Sequence, residues 1–153
     1  MKRTTLTTLL ATMLTLAAFA STAHVASADS NTYNRDMKDF APVIERWAFE
    51  TREMTTAAVA KPELACSDEM AEMALRGFSI ADDLDGMYGA APKLLAPAHV
   101  KAAREARVMA SAAERACGDA AAMASQTAES YDSFAGPMKR IRSYVSRAGR
   151  MGR

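Results

Sequence analysis

Few residues in this chain have chemistry to offer: His99, the pair Cys66 and Cys117, the acidic run Asp82, Asp83 and Asp85, a set of methionines, and a basic C-terminal stretch. His99 is the one histidine after residue 28. As a general base it would need a nucleophile, an orienting carboxylate and an oxyanion donor assembled around it, and no motif supplies them. It falls on the first turn of a helical segment beside Pro97 and off that segment's apolar stripe, where capping or solvent exposure is expected. A lone histidine builds no zinc set, and the absence of Cys-x-x-Cys-His leaves no covalent haem attachment. The expectation is a protein that is not an enzyme.

Asp82, Asp83 and Asp85 before Gly86 resemble a calcium loop only faintly, because the alternating oxygen ligands and the distal glutamate of an EF-hand are missing. A solvated helix face is the better reading. Negative charge near a helix C-terminus opposes the dipole, so docking of the basic tail there would give it a purpose. The methionines include Met70 and Met73 on one side of a helix, where thioethers can hold Cu(I). Filling an irregular core between alanine faces accounts for them more simply. Met37, Met70 and Met73 would line the interior if the bundle carried an apolar small molecule or a haem.

Two cysteines in an exported chain invite a disulfide. A helix rising from Cys66 to Tyr88 climbs roughly 33 Å, and one descending from Pro97 to Cys117 falls roughly 30 Å, at 1.5 Å per residue. The two sulfurs therefore arrive at one level of an antiparallel hairpin, and a Cys66–Cys117 bond is expected.

The charge is unevenly placed. Nothing after Asp132 is acidic, while Lys139, Arg140, Arg142, Arg147, Arg150 and Arg153 follow it. Residues 29 to 132 then carry a formal −7 against +6 for residues 133 to 153. Apolar and cationic residues alternate at helical spacing in that tail, which suits an anionic surface or a polyanion. Lys139, Arg140, Arg142, Arg147 and Arg150 are the candidate contacts. No specific nucleic-acid motif accompanies them.

These groups have to be positioned by helices. Leu, Met, Ala, Glu and Arg dominate, Val and Ile are few, and Pro and Gly gather between segments, so an all-α fold is expected. Tyr33, Met37, Phe40, Ile44, Trp47 and Met54 recur in steps of four and three, predicting a helix over residues 36–58 with a kink or restart at Pro42. Asp29 to Thr32 are expected to be loose. Ser67 caps a second helix that reaches Tyr88 with Asp68 and Glu69 in its first turn. From Pro97 to Phe134 the small residues Ala103, Ala106, Ala110, Ala113, Cys117, Ala120 and Ala124 keep one phase. One long helix is therefore expected, although Gly118-Asp119 is where it would break. Gly136-Pro137 should stop it, leaving a short basic helix with Met138, Ile141, Val145 and Ala148 on one side.

The N-terminus reads as a secretory signal peptide: Lys2 and Arg3, an uncharged run from Leu6 to Ala20, and Ala26-Ser27-Ala28 as a small-x-small cleavage site. Residues 1–28 are therefore expected to be removed, leaving a bundle domain at 29–135 and a basic amphipathic segment at 136–153. The expectation is a secreted or periplasmic antiparallel bundle of three to four helices, tied by one disulfide and free of cofactors. It would act as a binding or structural module toward an envelope protein or anionic surface, with an apolar or haem carrier as the alternative. Its alanine-rich face offers a second copy a place to pack.

Overall fold

The structure is a computed structural model that describes residues 30–151; the signal peptide expected at residues 1–28 lies outside them. The described chain is helical, with five α-helices: α1 Ser30–Ala60, α2 Pro62–Ala65, α3 Asp68–Tyr88, α4 Ala96–Arg115 and α5 Ala120–Met151, plus a 3-10 turn at Lys93–Leu95. No strand occurs among the described residues. None of these helices is long and apolar enough to cross a membrane.

Four long helices make an up-down-up-down bundle, and α2 is a single turn joining α1 to α3. Neighbouring helices run antiparallel: α3 against α4, α4 against α5, and α5 against α1. The antiparallel α1–α5 register places Arg142 on Glu45 at 2.9 Å and the Arg52 guanidinium 5.2 Å from the Tyr131 ring centre. Every residue of the two buried apolar clusters lies between Tyr33 and Val145. The larger cluster includes Met37, Ile44, Trp47, Leu84, Met109, Phe134, Met138 and Ile141, and the smaller one closes the disulfide end around Ala58, Met70 and Ala113.

The expected single helix over residues 97–134 is two helices. Gly118 and the Asp119 side chain, which accepts from the Ala122 amide at 3.0 Å, end α4 and cap α5. The phase that the stripe keeps across the break in the sequence is not a buried face there: Cys117 is exposed and Ala120 and Ala124 are half-buried. The alanines of α4 are consumed by this packing: Ala102, Ala103, Ala106, Ala110, Ala112 and Ala113 are all buried, against α3 and α5 within one chain.

Pro42 lies inside α1, which runs through residues 36–58 as expected, whereas Pro137, expected to stop a helix, lies inside α5. A proline removes one hydrogen bond and crowds the preceding turn, about 3 kcal/mol in an isolated helix. Here Met138, Ile141 and Val145 beyond Pro137 are buried in the main core, so tertiary packing carries the helix through. The basic segment is thus the last half of α5 and not a separate helix. At the other terminus α1 starts at Ser30, where looseness was expected, because Tyr33 one turn later is buried.

Ser67 caps α3 as expected, accepting from the Met70 amide at 3.2 Å. Gly77 leaves no room for a side chain: the Trp47 ring covers it, and a Cβ at this position would come within 2.8 Å of the Ala110 methyl. The same indole donates to the Met73 carbonyl at 2.9 Å. Cys66 and Cys117 are disulfide-bonded, with Cα atoms 4.6 Å apart. They sit at the same end of the α3–α4 pair, Cys66 in the turn before α3 and Cys117 in the turn after α4, and both are exposed, so the bond ties two bundle-end turns and does not lie within the seam.

Candidate functional site

His99 is not exposed. It is fully buried, and both ring nitrogens are engaged: Nε2 with the Tyr33 hydroxyl at 2.6 Å and Nδ1 with the Leu84 carbonyl at 3.3 Å. A carbonyl can only accept, so Nδ1 carries the proton and Nε2 accepts from Tyr33. Burial pushes the histidine below its ordinary pKa and the Tyr33 phenol well above its own, with Tyr144 adding to the latter. The group is a neutral clamp joining α1, α3 and α4. Catalysis or haem ligation by His99 would have to break it. The spacing in fact carried the signal: His99 stands four residues before Ala103 and continues the stripe of Ala103, Ala106 and Ala110 in phase, so its burial follows from the same periodicity.

Asp82 and Asp85 do not receive the basic tail. Both pair with Arg107 of α4, at 2.9 and 2.7 Å. All three side chains are substantially exposed, so the pairs contribute little stability. Burial, with neighbouring Asp82 second, raises the Asp83 carboxyl above its usual range. No group of three or more His, Cys, Asp or Glu side chains is placed to hold a metal ion among the described residues.

The methionines do not converge. Met37 is buried in the main cluster, Met70 in the smaller cluster at the disulfide end, and Met73 is half-buried against the main one. Met37 borders a trough between α1 and α5, whereas Met70 borders a groove beside the disulfide.

The basic stretch of α5 divides by helical phase. Met138, Ile141 and Val145 point into the core. Arg142 leans back to Glu45 of α1. Lys139, Arg140, Arg147 and Arg150 are exposed, and none has a carboxylate within ion-pair distance among the described residues. Arg147 instead donates to the Ser143 carbonyl at 3.2 Å. At steps of three and four, Arg142, Ser143, Ser146, Arg147 and Arg150 line one surface depression. Three guanidinium groups and two hydroxyls there present donors in the forked geometry that suits phosphate or carboxylate. Glu45 of α1 holds Arg142, whereas no acidic residue after Asp132 stands on this part of the helix to engage Arg147 and Arg150.

The fold and surface together define a disulfide-tied four-helix bundle with one cationic helix end. Comparison with protein-family models, with curated proteins and with solved structures finds no match for this chain.

Proposed function

We propose that this protein is an exported, non-enzymatic binding module that docks on an anionic surface of the cell envelope through the exposed face of α5. The observation that carries the reading is the set Lys139, Arg140, Arg147 and Arg150, solvent-facing and without acidic partners, on a helix whose opposite face is anchored in the core. Anchoring matters because a cationic helix that is already folded loses no ordering entropy when it binds. Each cation near an anionic lipid surface contributes on the order of 1 kcal/mol, and salt screens that attraction.

The test uses residues 29–153, which hold both buried clusters found among the described residues, and vesicles of phosphatidylglycerol mixed with phosphatidylcholine. Co-sedimentation at low salt, lost at about 0.5 M salt and on neutral vesicles, is expected. Reversing Arg147 and Arg150 to Glu should weaken it by about tenfold or more without lowering the unfolding temperature. Equal retention on neutral vesicles, or indifference to the reversals, would remove the proposal.

A further inference from the structure

The trough between α1 and α5 has features that a purely electrostatic surface does not require. Ala41, Pro42 and Val145 form its apolar floor over Met37. Gly149 leaves one wall open, since a Cβ there would meet nothing within 4 Å. Lys38, Arg142, Arg150 and Ser146 stand along the edges, and the volume is about 400 Å³, the size of a small-molecule site. Arg142, Ser146 and Arg150 belong also to the depression on the outer face of α5, so apolar floor and anion-binding edge are continuous.

This combination narrows the occupant. A second copy meeting here about a two-fold axis would bring the arginines of one chain against the same arginines of the other. A polyanion would satisfy the cations and leave the floor uncovered, and a neutral apolar molecule would do the reverse. An alkyl chain with a negatively charged head satisfies both.

We propose that the trough binds one single-chain anionic amphiphile, an acyl or alkyl chain headed by phosphate or carboxylate. The chain lies along Ala41 and Val145, and the head sits on Arg150 and Ser146, beside the Arg142 guanidinium that Glu45 also engages. The inference rests on the same cationic face as the proposed docking and adds the requirement for a chain.

The probe is dodecyl phosphate below its micelle concentration, titrated into residues 29–153 and followed by backbone amide chemical shifts. Inorganic phosphate and dodecyl maltoside serve as controls for head and chain alone. Saturable shifts confined to residues 37–42 and 142–150 are expected, with affinity about tenfold or more above either control. Gly149→Trp, which builds into open space, should abolish the binding and leave salt-sensitive vesicle binding in place. Arg150→Glu should weaken dodecyl phosphate by about tenfold and leave dodecyl maltoside unchanged. Either control binding as tightly as dodecyl phosphate, unchanged binding by Gly149→Trp, or shifts spread through the bundle would overturn the inference. So would trough shifts that appear with protein concentration alone, which would assign the trough to a second copy. Dodecyl phosphate binding without vesicle binding would remove the docking proposal only, and the converse would remove only this one.

Discussion

The Tyr33 hydroxyl and the His99 imidazole, sixty-six residues apart in sequence, share a 2.6 Å hydrogen bond inside the bundle, and the same ring reaches the Leu84 carbonyl at 3.3 Å. Three helices are joined through one neutral side chain that the low-dielectric core holds uncharged.

Stability should therefore depend on pH in a defined sense. The folded pKa of His99 lies below its ordinary value of 6.5, so the unfolded chain takes up the proton first. This contribution is complete above about pH 6.5 and is lost as pH falls below it, at no more than about 1.4 kcal/mol per pH unit, until the folded histidine titrates as well. Urea unfolding at a series of pH values should show this slope, and His99→Gln should remove it. Tyr33→Phe leaves Nε2 without a donor and should cost about 1 to 3 kcal/mol at neutral pH. A pH dependence identical in wild type and His99→Gln would show that the clamp is not the titrating group.

Gly77→Ala tests the contact between α1 and α3. In a helix interior the change favours the helical state by about 1 kcal/mol, so helix propensity alone predicts stabilisation. The new methyl would instead collide with the Trp47 ring and the Ala110 methyl. Overpacking of this kind costs about 1 to 3 kcal/mol. The expected net effect is destabilisation in urea melts, reduced in the background of Trp47→Phe, whose smaller ring leaves room.

Reduction of the Cys66–Cys117 bond opens a loop whose ends are separated by 51 residues. By the chain-entropy model the loss is about 4 kcal/mol, a large part of the 5 to 15 kcal/mol typical of a domain. The Cys66→Ser, Cys117→Ser double variant should unfold at markedly lower urea, with a steeper transition because its unfolded chain exposes more surface. Native, non-reduced protein should contain no alkylatable thiol.

Much of the architecture was legible because periodicity and chain length are local properties. The stripe from Tyr33 through Met37, Ile44 and Trp47 is buried as its spacing implies, and Ser67 caps α3 where its hydroxyl and the following acids predicted. The sulfur pair was legible for the same reason, since two helices of similar length bring their ends level. The reading failed where a local rule met a tertiary one. Pro137 breaks a helix in isolation, but the burial of Phe134 before it and of Met138 and Ile141 after it outweighs one lost hydrogen bond. Gly118-Asp119 does break the chain, and nothing in the phase of the alanine stripe could distinguish a straight rod from a rod folded on itself.

By itself, then, the sequence determined that the chain is helical, which faces are apolar, which cysteines can meet and where positive charge gathers, because each follows from residue type and spacing. Only the tertiary structure decided that α4 and α5 double back, that His99 is enclosed between Tyr33 and Leu84, and that Arg107 answers Asp82 and Asp85 in place of the basic tail. It also decided which cations of α5 face solvent. Those outcomes depend on which helices meet in the bundle, a relation between residues distant in the chain that no local pattern records.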